Sequence, residues 1–256
     1  ATATLTKQAG SAATDGDDLR VTSLTGATGV TVLSSTSLRV GTITATTGDT
    51  SATATSGDVS GFLTGTFERL PTVTTGTSLS GNYGLGGITA SAGDVTVNAA
   101  SGGVQLGAIT GGGDYTVSAR AVSGGVANPA GALSITATLG TLVLTSASGS
   151  SVSLVKQNGS AASDGDEIRV PIVNSAGLVS LVSATSVRVN TATSSGNSVI
   201  LTATGGDISG IRTGAFAALP TVQAGNATGS ALSANYGRTS VSAGPAGSAT
   251  LTAGNA

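Results

Sequence analysis

The chain has 256 residues and a formal net charge of −2; charged residues make up 9% of it, aromatics 2%, and His, Cys, Met and Trp are absent. Ten scattered Lys and Arg form no cationic footprint for nucleic acid or an acidic membrane, and the lack of cysteine excludes a disulfide framework and most zinc sites. Abundant Val, Ile and Thr with a mean hydropathy of +0.31 exclude a disordered chain and predict strand.

The opening ATATLTKQ lacks the basic and apolar regions of a signal peptide, and no apolar run approaches the ~20 residues that span a bilayer. Such a start is expected of a mature chain or a fragment. Next comes the densest carboxylate group, Asp15-Gly16-Asp17-Asp18, repeated as Asp164-Gly165-Asp166-Glu167. Calcium takes six to eight oxygens, and these turns lack the spaced acids of an EF-hand loop. The expectation is a solvated turn, with a weak calcium site as the alternative that calorimetry decides.

Arg20 and Arg39 follow in Leu-Arg-Val contexts, and Asp58 lies the same step beyond Arg39 as Arg39 lies beyond Arg20; Arg169, Arg188 and Asp207 repeat the spacing. If Leu19, Val21, Leu38 and Val40 face inward, the arginines point to solvent and Asp58 stacks beside Arg39. A one-residue slip would then bury the charges, so the column resists it. Residues 57–84, matched at 206–237, hold most of the aromatics and lack clean apolar doublets. They predict an excursion from the regular pattern, with Phe67 and Leu70 (Phe216 and Leu219 in the second copy) packed over the side or forming a ligand patch.

Beyond it the pattern becomes regular. Val95/Val97, Tyr115/Val117, Leu133/Ile135 and Val152/Leu154 follow one another at nearly equal steps, each an alternation that marks a strand with one buried face. Val104/Leu106 and Leu142/Leu144 fill the gaps, and Gly or Gly-Asp turns, among them those of Asp49, Asp94 and Asp114, punctuate them. A longer period contains this one. Lys7-Gln8, Arg20, Arg39, Gly57-Asp58 and Leu70-Pro71 recur at one constant offset as Lys156-Gln157, Arg169, Arg188, Gly206-Asp207 and Leu219-Pro220, with about four extra residues in the second copy between Gln223 and Gly229. Residues 1–149 are therefore a first solenoid super-repeat and 150–256 a second, truncated one, and the stop inside a unit predicts a piece of a longer array.

Short strands at a fixed period must stack to bury their apolar faces. The expected fold is all-β, a parallel β-solenoid of about 18–21 residues per coil with loop excursions, making roughly 12 or 13 coils and a rod on the order of 60 Å. Paired antiparallel sandwiches of about 128 residues each would explain the alternation but not the period. Catalysis has little to work with. Without His there is no Ser-His-Asp arrangement, Lys7 and Lys156 lack a serine partner motif, and Gly111-Gly112-Gly113 lacks the Lys-Ser/Thr of a phosphate loop. No catalytic, cofactor-binding or metal residue is assigned, and an enzyme is not expected. Asn158-Gly-Ser and Asn226-Ala-Thr match the glycosylation sequon.

The units GDVTVNA, GDYTVSA and GALSITA, with SGGVQLGAIT, resemble the repeats of filamentous haemagglutinin-type exoproteins, adhesins secreted by the two-partner route in Gram-negative bacteria. The similarity is best over residues 87–154. It implies a right-handed parallel β-helix, extracellular or at the cell surface, serving as the shaft of an adhesin or biofilm-matrix protein. The implied partners are neighbouring repeats or like subunits, and a host surface or polysaccharide, with no nucleic acid and no membrane insertion. Two other functions keep the solenoid: a self-assembling subunit of an extracellular filament or sheath, and an ice-binding protein. The second is suggested by Thr2-Ala-Thr4 and Thr44-Ala-Thr46, although such pieces are not expected to recur at coil spacing.

Overall fold

A computed structural model describes residues 1–10, 18–62, 85–159, 167–211 and 239–253. Twenty-one strands and no helix occupy them, in one long parallel sheet. In chain order the first are β1 (Thr2–Lys7), β2 (Leu19–Gly26), β3 (Gly29–Ser34), β4 (Leu38–Ala45), β5 (Thr50–Ala54), β6 (Val59–Ser60) and β7 (Gly87–Ala90). Then follow β8 (Val95–Leu106), β9 (Tyr115–Ala127), β10 (Leu133–Ala137), β11 (Leu142–Gly149), β12 (Val152–Lys156), β13 (Ile168–Arg169) and β14 (Ile172–Ser175). The last are β15 (Val179–Ser183), β16 (Val187–Arg188), β17 (Thr191–Ser194), β18 (Val199–Ala203), β19 (Ile208–Ser209), β20 (Ser240–Ser242) and β21 (Ala249–Ala253).

Each interior strand pairs in parallel with equivalents before and after it, an arrangement consistent with a β-solenoid. The ladder has three faces. On the first, β1, β3, β5, the start of β8, the start of β9, β10, β12, β15, β18 and β21 stack as ten rungs. The second face runs from the start of β2 through β4 and β6 to β19, and the third from the end of β2 through β7, β14 and β17 to β20. The apolar file lies where the doublets placed it: Val95 pairs with Tyr115, Tyr115 with Leu133 and Leu133 with Val152.

Among the described residues ten first-face rungs stand where 12 or 13 coils were expected, and nine steps of ~4.8 Å make this ladder about 43 Å long. Dividing the whole length by one period overcounted. The first-face steps from Thr2 to Gly29 and from Val152 to Val179 are longer than one period, and those from Thr50 to Val95 and from Val199 to Ala249 are more than twice as long. Between them, Val30 to Thr50 and Val179 to Val199 return to the short period, so both units share one order of long and short steps. Residues 57–60, expected to leave the pattern, remain in it: β6 pairs with Leu38 on one side and Val104 on the other. Phe67, Leu70, Phe216 and Leu219 lie outside the described residues.

The core is a set of columns. Leu38, Val59, Val104, Val122, Leu142, Ile168 and Val187 are successive on the second face and at most 1% exposed. Like residues stacked in register bury apolar area at every rung, at about 25 cal/mol per Å². Tyr115 is the largest apolar member of the first-face column; it is fully buried, and its hydroxyl donates to the Ile88 carbonyl on the third face at 2.8 Å. Burial pushes that hydroxyl well above its ordinary pKa, so it stays a donor at all working pH. Tyr115→Phe should cost about 1 kcal/mol by leaving that carbonyl short of a partner. An unchanged urea midpoint would show that the cross-face bond contributes nothing.

Candidate functional site

The outward side of the second face carries most of the described charge. Arg20, Arg39 and Ser60 are successive in one column, and Arg169, Arg188 and Ser209 repeat it. Arg20 matches its expected exposure, with 52% of its side chain open, and its Nε donates to Asp18 Oδ1 at 2.8 Å. Arg39 and Arg188 do not: they are 1% and 4% exposed. Each occupies an outward pleat position, yet Leu38, Arg39 and Val40 are all buried.

Carboxylates make that burial tolerable. Arg39 Nε lies 3.5 Å from Asp18 Oδ2, its guanidinium reaches Asp58 Oδ2 at 3.9 Å, and its NH1 donates to Ser60 Oγ at 2.9 Å. Asp58 therefore stacks beside Arg39 as expected. In the second unit Arg188 NH1 donates to Asp207 Oδ1 at 2.7 Å and Ser209 Oγ at 3.0 Å, while Arg169 pairs with Glu167. Of the two acidic turns only Asp18 and Glu167 are described, and both join this column. Asp15, Asp17, Asp164 and Asp166 lie outside the described residues. Among those described, no group of three or more acidic, His or Cys side chains could hold a metal ion.

Asp58 is the most constrained carboxylate. Its Oδ1 accepts from the Gly103 amide at 2.9 Å and its own amide donates to Ser37 Oγ at 3.1 Å, so one residue touches the rungs below and above. Its carboxyl is held above the ordinary value of 3.8, because burial outweighs the Gly103 amide and the Arg39 guanidinium.

A second carboxylate column joins the Gly-Asp turns that punctuate the apolar doublets. Asp94 N–H donates to Asp49 Oδ1 at 2.9 Å, Asp114 N–H to Asp94 Oδ1 at 2.8 Å and Ala132 N–H to Asp114 Oδ1 at 2.7 Å. Each carboxylate caps the turn of the next rung. The glycine before each follows from this: a Cβ on Gly113 would collide with Asp94 Oδ1, and one on Gly93 with the Gly48 carbonyl. The recurring GD dipeptide was the available signal, but Asp49 and Asp94 are distant in sequence and needed the register to be joined. Lys156, only 1% exposed, also serves the chain itself, donating to the Leu139 and Asn158 carbonyls. The sequon residue Asn158 uses its Nδ2 to donate to Thr138 O at 2.9 Å.

The first face presents neutral side chains instead. One outward column runs Thr4, Thr31, Ser51, Thr96, Thr116, Ser134, Ser153, Ser180, Ile200, Thr250, so nine of ten positions carry a hydroxyl. Two residues on, the companion column is Thr6, Leu33, Thr53, Asn98, Ser118, Thr136, Val155, Val182, Thr202, Thr252. Thr-x-Thr pieces do not recur from rung to rung, as expected, but a mixed Ser/Thr column does. Strict Thr-x-Thr occurs on this face only in β1 and β21, and the columns emerge once Ser stands in for Thr in the true register. Of the pieces quoted, Thr44 sits on the third face and Thr46 in the turn after β4.

No family model, curated protein or solved structure matches the chain.

The Arg, Asp and Lys side chains described above bind neighbouring parts of the same chain, and Asp58 gives this a measurable signature. A carboxyl that is easier to protonate folded than unfolded costs stability when ionised, and that cost fades as pH falls from its raised value through 3.8. With Asp18 left to balance Arg39, Asp58→Asn should be more stable than the parent at neutral pH, and the difference should vanish in acid. Urea midpoints across pH that keep a constant offset between the two would refute this.

Proposed function

We propose that the chain is a structural shaft: a right-handed parallel β-helix that projects or coheres parts of a secreted bacterial adhesin or biofilm-matrix protein at or outside the cell surface, without enzymatic activity. The observation that supports it is the unbroken file of Val95, Tyr115, Leu133 and Val152, each paired with the next. A ladder in which each rung contacts only its neighbours lengthens by repetition without a new core, as a spacer requires. Crossovers between parallel strands of one sheet are right-handed in nearly all cases, which supports the hand. The GDVTVNA and GDYTVSA units, similar to haemagglutinin-type repeats, support the location and the partners: neighbouring repeats or like subunits.

A self-assembling filament subunit keeps the same fold, and concentration-dependent polymerisation of the purified chain would mark it. An ice-binding surface is the reading favoured by the first-face hydroxyl column, regular at ~4.8 Å along the axis, with a companion column about 7 Å away in which six of ten positions carry a hydroxyl.

The shaft reading makes a geometric prediction. Inserting one further copy of residues 1–149, which carries six first-face rungs, should lengthen the particle by about 29 Å at constant width, as seen by electron microscopy. A particle that instead grows wider would reject the reading. Thermal hysteresis at micromolar protein that is lost in Thr116→Leu would move the assignment to ice binding, and its absence would remove that alternative.

A further inference from the structure

The turn that follows β12 gathers a buried cation, an asparagine and a glycine around one peptide bond. Lys156 is only 1% exposed, and its ammonium donates to the Leu139 carbonyl at 3.1 Å and to the Asn158 carbonyl. The second acceptor belongs to the peptide that joins Asn158 to Gly159. Both of those residues are exposed, Gly159 has a φ of 147°, and its N–H has no hydrogen-bond partner among the described residues. No other described asparagine precedes a glycine. The first unit repeats the clamp without the amide: the Lys7 ammonium donates to the Ala9 carbonyl, and Gly10 follows with a φ of 150°.

We propose that Asn158 is a self-modifying residue, converted through a cyclic imide to a mixture of aspartate and isoaspartate. The Gly159 N–H gives its proton to hydroxide, and the nitrogen lone pair attacks Asn158 Cγ. A C–N bond forms, the bond from Cγ to Nδ2 breaks, and Nδ2 takes a proton from water and leaves as ammonia. Water then opens the ring. Cleavage between Cγ and the Gly159 nitrogen leaves aspartate; cleavage at the Asn158 carbonyl carbon leaves isoaspartate, in which the main chain runs through Cγ. The sum is one water consumed and one ammonia released, with no other reagent.

Two features of the turn favour the attack. Glycine presents no Cβ to shield its nitrogen. An amide that loses its proton carries the negative charge largely on its carbonyl oxygen, and here that oxygen accepts from the buried Lys156 ammonium, which stabilises the anion. One contact opposes them: Asn158 Nδ2 donates to Thr138 O at 2.9 Å, a bond that must break as ammonia leaves. A hydrogen bond to a charge is roughly twice as strong as a neutral one, so the polarisation outweighs that restraint. Conversion also changes the turn, since the product carboxylate offers Thr138 O no donor and adds a negative charge beside Lys156. The inference needs only this turn and does not rest on the shaft reading.

The test incubates the full chain in heavy-oxygen water at neutral pH and physiological temperature and follows every asparagine by peptide mass spectrometry. Asn158 should convert first, taking up heavy oxygen as ammonia is released. Ala9→Asn should create a second converting site under the Lys7 clamp. Lys156→Met, which keeps the length of the side chain and removes its charge, should slow Asn158 about tenfold, as the loss of one charge-assisted hydrogen bond implies. A purely structural lysine would give the opposite sign, because a loosened turn reaches the attack geometry more often and converts faster. Circular dichroism would check that Lys156→Met folds, and Ala9→Asn, at an exposed position, keeps the test decisive if it does not. An Asn158 that stays intact, another asparagine that converts faster, an inert Ala9→Asn, or a folded Lys156→Met that is not slowed would each overturn the inference. None of these outcomes would alter the particle length that tests the shaft.

Discussion

Parallel in-register stacking is the constraint from which the rest follows. A rung satisfies its backbone N–H and C=O groups only through the rung below and the rung above, so each residue is tied to the same kind of position in the next coil. Side chains then meet their equivalents rather than arbitrary neighbours. An apolar column becomes a core, a hydroxyl column a neutral strip, and a Gly-Asp turn a ladder in which one carboxylate caps the next amide. This is how a chain with 2% aromatics can bury the inward Val, Leu and Ile of its interior rungs almost completely: few large side chains are needed when the interior is only a column or two wide on each face.

Uniform stacking brings a difficulty of its own. Identical columns also fit when slipped by one coil, and small residues such as Ser, Thr and Ala discriminate poorly among such registers. The Arg39 and Arg188 clusters are the non-uniform features that resolve it. The buried Arg39 guanidinium has Asp18 on one side and Asp58 and Ser60 on the other, and no other described rung of the first unit offers that set. Exchanging such a cluster for apolar residues need not lower stability, but removing all of its acids strands a charge away from water. Burial holds the Asp58 carboxyl above its ordinary value, so ionising it costs free energy even as it fixes its rung. Tyr115 acts similarly through shape and a single hydroxyl, joining the first face to the third where neighbouring rungs carry only aliphatics.

The parts legible in the sequence were those with short, local signals. The Val95, Tyr115, Leu133 and Val152 file was visible because its steps are nearly equal and have apolar-x-apolar pairs at each end. The same method overcounted the coils, since a period measured in one region was applied to the far longer steps from Thr50 to Val95 and from Val199 to Ala249. It also placed Arg39 in water, because alternation specifies which side of a strand a residue takes but not what covers that side. The Asp49, Asp94 and Asp114 ladder and the first-face hydroxyl column escaped for one shared reason. Their members are far apart in sequence and unremarkable singly; only the register brings them together.

That last point bears on where function resides in such a fold. Inward positions are committed to packing, and the turns on the first-face side to Asp capping, so chemical variety is left to the outward columns and to corners whose residues are small. The arginine-paired acids Asp18, Asp58 and Asp207 gather on the second face, whereas Asp49, Asp94 and Asp114 occupy the turns between the third and first faces. A buried Arg needs acids on adjacent rungs of its own column, so register sets where its partners must lie. A ladder built to be monotonous along its axis thereby acquires three chemically distinct sides, and any ligand long enough to cross several rungs meets one of them repeated at a fixed interval.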